Sequence, residues 1–345
     1  MDIEIHPLQR EKIPELRSFL IAGFQQPSDA EFAEESVLEW KYFDPLGITS
    51  HPRALLGTMN GRIVACNGIC PTRWVVGCSQ NSVSASHGID WLAAKDEVSA
   101  GFMVGLRTLE YCDVQFGVGG TPTAIAINKK VGYKSPMEIP VFCRIVRPLY
   151  QLRRPRSDSL WRAALKTVRD YGRRMTHFRQ PPRIHLGLCR VDAFGDEIGL
   201  VTSKCKMAAV HTLRTPELLN HYLRYPGKNI SGWVLKEGNQ VRGFALLSIV
   251  RQQAFRIGRI ADCFLDSLDS DLWHAALHAL TNQLIENNAD MVVCYGSTHW
   301  IAKALKENGF YVLKTSPLLV RDAKKLIPEN ASFYLTHLEA DHAYL

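Results

Sequence analysis

The chain has 345 residues, of which 46% are hydrophobic and 22% are charged, with 24 glycines and 17 prolines. These proportions are those of a folded globular protein, and they exclude a disordered, collagen-like or coiled-coil chain. The length predicts roughly two domains, and domains of this size bury enough apolar surface to fold without disulfides or structural metals.

The cysteines and the N-terminus favour a reduced, cytoplasmic protein. None of the nine cysteines forms a Cys-x-x-Cys pair, and Cys66 and Cys70 are spaced to lie on one face of a predicted strand. We therefore expect reduced, mostly buried thiols. The first residues lack the basic and apolar segments of a signal peptide, and no uncharged apolar run approaches the roughly 18 residues that a membrane-spanning helix needs.

The first half of the chain alternates helical and strand patterns. A hairpin is predicted across Asn60-Gly61, a dipeptide that favours the tightest turn between antiparallel strands. A later helix should end at Gly132, because glycine readily adopts the left-handed conformation of a helix C-cap. In chain order, the predicted elements are strand 3–5, helix 13–20, helix 32–42, strands 54–57 and 63–66, strands 73–77 and 83–91, helix 102–111, strand 114–118, helix 123–131 and strand 133–144.

The positive charge of the chain is concentrated in one segment. The formal net charge is +7, but residues 144–190 alone hold 13 basic and 2 acidic residues, a net charge of +11 that leaves −4 for the rest. Prolines at both ends of this segment indicate a connection between two folded bodies. Within it, residues 157–178 have the spacing of a helix with one apolar face and one basic face.

Three interpretations of this basic helix remain open. Its apolar stripe could pack on a domain while its arginines are solvated, it could lie on an anionic membrane surface, or it could bind RNA or another phosphate-rich partner. Nucleic acid is the least favoured, because the aromatic residues lie within the stripe and are not interleaved with the arginines as a base-stacking surface requires. The stripe consists of Leu160, Trp161, Ala164, Leu165, Val168, Tyr171, Met175 and Phe178.

The order of elements in the first half, with the ending Lys130-Val131-Gly132-Tyr133, resembles the GNAT superfamily of N-acyltransferases. In that family a lysine, a glycine and an aromatic residue close the last helix before the final strand. The resemblance implies an α/β (α+β) fold, with a mixed, mainly antiparallel sheet flanked by helices. It also implies transfer of an acyl group from acyl-CoA to an amine, and it covers nearly all of residues 1–146.

The second half repeats landmarks of the first. Gly238-Asn239 is similar to Asn60-Gly61, and Asn308-Gly309-Phe310 is similar to the ending at Gly132, at nearly equal spacing. We therefore predict two GNAT-like domains, residues 1–147 and 184–345, joined by a basic amphipathic linker helix at 148–183. Tandem arrangements of this kind resemble the FemAB-like group and related acetyltransferases of polysaccharide biosynthesis, which implies an amino sugar or a peptidyl amine as acceptor.

The resemblance implies that acetyl-CoA or another acyl-CoA binds in the first domain. Family members hold its diphosphate in a glycine-containing loop that opens the helix after the long strand, where unpaired backbone N–H groups attract anions. The matching stretch here keeps one glycine but has valine and methionine at two positions of the motif. The expected cofactor-binding residues are Val98, Ser99, Ala100, Gly101, Phe102 and Met103 in this loop, with Gly119, Gly120 and Asn128 further along the chain.

The equivalent loop of the second domain, residues 265–271, carries three aspartates and no glycine. Aspartates at this position cap a helix well, but they would repel a diphosphate. We therefore expect this second, degenerate domain to have a structural or acceptor-binding role.

Acyl transfer to an amine needs a base for the ammonium and an acid for the leaving thiolate. The family commonly uses Glu, Asp or His as the base and a tyrosine in the last helix as the acid, but the tyrosine position is Asn128 here. The remaining catalytic candidates are His87, which can titrate near neutral pH, Asp90 and Tyr133. Strict alternation along the strand would place His87 and Asp90 on opposite faces.

Two other functions remain open. The first is a catalytically silent tandem protein that binds a partner or ligand, and the second is an aminoacyl transferase that uses charged tRNA and binds it with strong salt dependence.

No metal is expected, because His274 and His278 lack the intervening glutamate of a zinc protease, and we expect both histidines to face solvent. We expect a small-molecule acyl donor, an amine acceptor and a cytoplasmic protein that can touch anionic membrane through the linker helix.

Overall fold

The structure is a computed structural model that describes residues 3–44, 51–77, 82–153, 160–176, 180–252 and 255–340. Within these ranges, strands from both halves of the chain join edge to edge in one sheet of fourteen strands, with helices against it. The predicted class, a mixed and mainly antiparallel sheet flanked by helices, is confirmed.

The first half contains six strands and four helices among the described residues. They are β1 Glu4–Pro7, α1 Ile13–Phe24, α2 Glu35–Tyr42, β2 Ala54–Met59, β3 Arg62–Val75, β4 Ser82–Ala93, α3 Val98–Thr108, β5 Val114–Val118, α4 Pro122–Lys130 and β6 Lys134–Ile145.

The rest of the described chain adds eight strands and six helices. They are α5 Tyr150–Arg153, α6 Leu160–Thr176, β7 Gly187–Val191, α7 Glu197–Lys204, β8 Val210–Thr212, α8 Pro216–Leu223, β9 Ile230–Glu237, β10 Gln240–Gln252, β11 Phe255–Leu265, α9 Ser270–Glu286, β12 Met291–Tyr295, α10 His299–Glu307, β13 Tyr311–Asp322 and β14 Phe333–Tyr334.

The last long strands of the two halves, β6 and β13, are exchanged at the centre of the sheet. Twelve strands follow the order β1-β2-β3-β4-β5-β13-β6-β12-β11-β10-β9-β7, and β8 lies beside this path, where it pairs with β3 and with β14. Strand β13 pairs antiparallel with β5, where Leu318 faces Val118, and with β6, where Tyr311 faces Cys143. The parallel pairs β4/β5 and β11/β12 lie at matching places on either side of this centre. Each half therefore depends on a strand of the other to complete its sheet.

Local signals in the sequence set the turns of the first half as predicted. Strands β2 and β3 form a hairpin across Asn60 and Gly61, whose φ angles of 52° and 75° are both left-handed. Helix α4 begins behind Thr121, whose side-chain oxygen accepts the Ala124 N–H at 3.2 Å, and it ends before Gly132 at φ 98°. Helix α3 starts at Val98, four residues earlier than its apolar spacing indicates.

One prediction about helix faces is wrong, and one of the three interpretations of the basic helix is excluded. His274 in α9 is buried at 5% exposure, because α10 covers this side of the helix and the Asn308 side-chain amide donates to the His274 carbonyl at 3.0 Å; His278 is half-buried. In α6 the apolar stripe points away from the sheet, so it does not pack on a domain: Trp161 is 71% exposed and Val168 is 69% exposed. The ends of the predicted basic helix, residues 157–159 and 177–178, lie outside the described residues.

Other sequence expectations agree with the structure. Cys66 and Cys70 are both buried, and Asp269 caps α9 by accepting the backbone N–H groups of Asp271 at 2.7 Å and Leu272 at 3.4 Å. Among the helices of the described ranges, none combines the length and the apolar character that crossing a bilayer requires.

Candidate functional site

A cleft of about 500 Å³ opens where β4 and β5 separate. The two parallel strands pair only as far as His87 opposite Phe116, although β4 continues to Ala93. Beyond Phe116, β5 leaves β4 and stays with β13, and the Gly119 N–H donates to the Pro317 carbonyl at 2.8 Å. Backbone edges of two neighbouring strands therefore face each other across an open space, between apolar side chains such as Phe24, Phe32, Ile89, Val118 and Leu319.

A bulge in β4 shapes one wall of this cleft. The pairing of β3 with β4 shifts between Cys66/Leu92 and Gly68/Ile89, so two residues of β4 lie opposite one residue of β3. Asp90 sits in the bulge at φ 51°, a left-handed conformation that residues other than glycine rarely adopt. The bulge breaks the alternation of the strand. His87 and Asp90 consequently line the same cleft, whereas strict alternation would place them on opposite faces.

The Asp90 carboxylate is held by two side chains from the end of α2. It accepts a hydrogen bond from the Tyr42 hydroxyl at 2.5 Å and one from the Lys41 ammonium at 3.3 Å. Lys41 is only 1% exposed, and its ammonium also donates to the Phe32 carbonyl at 3.1 Å. Burial and the neighbouring Asp90 carboxylate raise the pKa of Tyr42 well above its usual value, so this tyrosine stays a hydrogen-bond donor.

Sequence reasoning did not identify Lys41 and Tyr42 as site residues. The available signal was Lys41 itself, because it follows buried Val37 and Leu38 at helical spacing and so occupies a core position of α2. A lysine on the buried face of a helix needs an anionic partner, and the partner here is a residue in a distant strand.

His87 lies at the inner end of the cleft. Its ring is buried and stacks on Phe116 with centroids 5.2 Å apart. Burial lowers the pKa of His87 to about 4, so the ring is neutral at neutral pH. His87 also borders a small cavity shared with Thr212, Tyr222 and Glu339 of the second half. His87 therefore borders both the cleft and a separate small cavity that residues of both halves line.

Tyr133 lies outside the main cleft. It lines a smaller pocket between α3 and α4, together with Phe102 of α3. Trp91 and Asn128 line both spaces, and burial raises the pKa of Tyr133 to about 12. The structure therefore brings His87 and Asp90 together in the cleft. Tyr133 lies in the neighbouring pocket, which shares Trp91 and Asn128 with the cleft.

Residues 98–103, predicted as an anion-binding loop, instead form the first turns of helix α3, and their side chains divide between the sheet and solvent. Ala100 and Gly101 are buried against the sheet, and a side chain at Gly101 would place its Cβ 2.7 Å from the Ala93 Cβ. Gly101 is therefore required by helix packing, whatever the loop binds. The other predicted residues of this loop, Val98, Ser99, Phe102 and Met103, are exposed.

The remaining predicted cofactor residues line the cleft at its other wall. Gly119 and Gly120 connect β5 to α4 with φ angles of 80° and 112°, which favour glycine at both positions. Asn128 lies two turns further along α4 and borders the same space. These three residues and the bulge at Asp90 face each other across the opening between the strands.

The matching strand pair of the second half is covered by the C-terminal segment 333–340. Strands β11 and β12 also separate after three paired residues. There, however, the His337 ring of the segment packs on the Tyr295 ring of β12, with ring centroids 4.1 Å apart. Ser297 exchanges hydrogen bonds of 2.9 Å with the backbone of Leu335. A buried ion pair at 2.8 Å joins Arg214 to Asp262 beneath the segment. Among the described residues, no group of three or more potential ligands suited to a metal ion is found.

Neither a sequence-family model nor a curated protein matches the chain. Solved structures do match it in fold. A GCN5-related N-acetyltransferase from Anabaena variabilis is 13% identical, with a TM-score of 0.64 over 93% of this chain and 73% of that one. A putative acetyltransferase from Pyrococcus horikoshii is 12% identical, with a TM-score of 0.57 over 96% and 94%. Saccharomyces cerevisiae N-myristoyltransferase with bound myristoyl-CoA is 11% identical, with a TM-score of 0.60 over 96% and 89%. The chain therefore has a GNAT-like fold.

Proposed function

We propose that the chain is an N-acyltransferase that binds acetyl-CoA or another acyl-CoA in the cleft between β4 and β5 and transfers its acyl group to an amine. The separation of these two strands is the observation that carries the proposal. Unpaired strand edges can hydrogen-bond the two amide groups of a pantetheine arm much as they would bond an added strand. The proteins of similar fold include acetyltransferases and an N-myristoyltransferase that carries myristoyl-CoA, which supports this class of donor.

The diphosphate of the donor is proposed to lie at the exposed start of α3. The first turn of α3 is exposed at Val98 and Ser99, and backbone N–H groups at helix N-termini bind anions. Acyl-CoA supplies the activated thioester, while the chain orients the amine and accepts its proton. Asp90 is the proposed anchor and base for the ammonium. His87, which is neutral at neutral pH, is the second candidate base. Tyr133, whose pocket shares Trp91 and Asn128 with the cleft, is the proposed acid for the thiolate.

In the transfer step, the amine nitrogen forms a bond to the thioester carbonyl carbon, and the carbon–sulfur bond breaks. Starting from the ammonium, the nitrogen loses two protons: the base takes the first and passes it to solvent, and loss of the second is balanced by protonation of the CoA sulfur. An apolar cleft of this size favours such a step, because it excludes water that would hydrolyse the thioester.

Release of free CoA thiol tests the proposed activity. Purified protein is mixed with acetyl-CoA or longer acyl-CoA and with amino sugars or peptides that carry a free amine. We expect amine-dependent CoA release that falls about 100-fold or more in Asp90→Asn, because a general base typically contributes that much. Binding of acyl-CoA without turnover would instead favour the catalytically silent protein. Binding of charged tRNA alone, with a steep salt dependence, would favour aminoacyl transfer.

Calorimetric titration with CoA tests the diphosphate position. Ser99→Glu places a negative charge at the start of α3 without burying it, so we expect CoA to bind about tenfold more weakly or worse. Ser203→Glu makes the same change at an exposed position in α7 and is the control. Equal affinities for the two variants would place the diphosphate elsewhere.

We also propose that the two halves are tandem GNAT-like domains, with the second serving a structural or acceptor-binding role. The symmetric positions of the parallel pairs β4/β5 and β11/β12 support this division, and the covered second cleft supports a single donor site. The FemAB-like assignment and an amino sugar or peptidyl amine as acceptor remain proposals on the same footing, which the amine panel in the CoA-release assay tests.

A further inference from the structure

Helix α6 presents a continuous apolar stripe to solvent. Trp161, Leu165, Val168 and Met175 are between 51% and 71% exposed, and Tyr171 is 44% exposed. These positions fall on one side of the helix over about 21 Å of its axis. A stripe of this length is much more than the scattered single apolar residues that ordinary protein surfaces carry.

Polar contacts on the opposite face fix the helix in this orientation. Asp170 is fully buried beneath α6, where its carboxylate accepts a hydrogen bond from Gln151 at 2.7 Å and pairs with Arg169 at 2.8 Å. The Arg173 guanidinium lies 4.7 Å from the centre of the Tyr311 ring, and Arg174 donates to the Val146 carbonyl at 3.1 Å. Rotating the stripe inward would break these contacts and bury charge, so the outward stripe is the stable arrangement.

Positive charge lies along one side of the stripe. Arg162 and Lys166 lie at helical spacing next to it, and Arg169, which pairs with Asp170, lies on the same side. The only acidic residue in α6 is the buried Asp170. The segment that contains the helix carries a net charge of +11. Long basic side chains beside an apolar face can extend their charged ends to phosphate groups while the apolar face enters the acyl region.

We propose that α6 docks this apolar stripe on the surface of an anionic phospholipid bilayer, with the helix lying in the membrane plane. Leu149 and Leu152, beside α6, are 54% and 43% exposed and add apolar contact area. A second copy of the chain is a poorer occupant, because stripe-to-stripe packing would bring two arginine rows together. The proposal rests on α6 alone and holds whether or not the chain transfers acyl groups.

Vesicle flotation with the full chain tests the proposal. The probes are vesicles of phosphatidylcholine and vesicles of an equal mixture of phosphatidylcholine and phosphatidylglycerol. We expect the protein to float with the mixed vesicles at low salt, and Trp161→Ser with Val168→Ser to weaken partitioning about tenfold or more by removing buried apolar area. Leu200→Ser with Leu313→Ser, which changes two exposed apolar residues elsewhere, is the matched control and should float like the parent.

A second pair of substitutions tests the basic residues beside the stripe. Arg162→Gln with Lys166→Gln should weaken binding to the anionic vesicles and reduce its salt dependence. Failure of the parent to float with mixed vesicles would overturn the proposal, as would unchanged flotation of the serine pair. Loss of binding in the glutamine pair but not in the serine pair would show that charge alone holds the protein on the vesicles, which would also overturn docking of the stripe. A dimer that the serine pair dissociates, without flotation of the parent, would assign the stripe to a second copy.

Discussion

Asp90 combines three properties that are individually uncommon. It is a residue other than glycine with a left-handed φ of 51°, it lies in a strand bulge, and its carboxylate faces a buried lysine. Such backbone conformations cost on the order of 1–3 kcal/mol and persist only where the surroundings hold them in place. Here Tyr42 and Lys41 hold the carboxylate. The strain is therefore located at the wall of the candidate site.

Acid should destabilise the protein partly through His87. Burial lowers its folded pKa to about 4, below the usual value near 6.5. Between these values the unfolded chain binds a proton that the folded chain does not, so stability is lost as the pH falls from about 6.5 to about 4. The free energy of unfolding of His87→Gln should therefore fall by about 3 kcal/mol less than that of the parent between about pH 6.5 and about pH 4.

Urea unfolding of the parent and of His87→Gln at pH 7 and pH 4 measures the contribution of His87 to the loss of stability in acid. His211, whose pKa burial also lowers to about 4, continues to destabilise both proteins in the same range, so only part of the acid effect disappears. His299→Gln, at an exposed histidine, is the control. An identical pH dependence in parent and His87→Gln would show that His87 does not contribute.

Local signals in the sequence were sufficient to predict most helices and turns but not which faces of the helices are exposed. The Asn60-Gly61 hairpin and the end of α4 at Gly132 follow from residues that are adjacent in sequence. The orientation of α6 and the burial of His274 depend on side chains far away in the chain, such as Gln151 and Asn308. The bulge at Asp90 is also set by pairing with β3, so no local pattern predicted it.

Two glycines in helices should respond oppositely to alanine. Gly101→Ala in α3 forces its new Cβ toward Ala93, at 2.7 Å, so we expect a loss of about 1–3 kcal/mol in the free energy of unfolding. Gly172→Ala in α6 meets no atom within 4 Å and should stabilise by roughly 0.5–1 kcal/mol. Thermal and urea unfolding measure both changes. A neutral Gly101→Ala would mean that α3 can shift from the sheet at no cost.

The exchange of β6 and β13 makes the two halves of the chain interdependent. The predicted division into residues 1–147 and 184–345 assigns each half its own sheet, whereas the central strand order is β5-β13-β6-β12. The sequence contained the repeated landmarks but no signal for the exchange, because a strand inserted in its own half or in the other half has the same apolar pattern.

Separate expression of residues 1–147 and 148–345 tests this interdependence. The first fragment lacks β13 between β5 and β6, and the second lacks β6 between β13 and β12, so each exposes long unpaired strand edges. We expect both fragments to be unfolded or aggregated alone and to regain a cooperative unfolding transition when expressed together. Independent folding of either fragment, seen by circular dichroism and thermal unfolding, would contradict this expectation.

The exchange also dictates an order of events during synthesis. Domains generally fold as they leave the ribosome, N-terminal first, but β5 and β6 cannot reach their final pairing until β13, near the end of the chain, has been made. The nascent first half must wait with two open strand edges, which are templates for pairing with other chains. A chaperone that shields β5 and β6 during translation would therefore raise the yield of folded protein, while a premature stop before β13 would leave the cleft at Asp90 without its Leu319 wall.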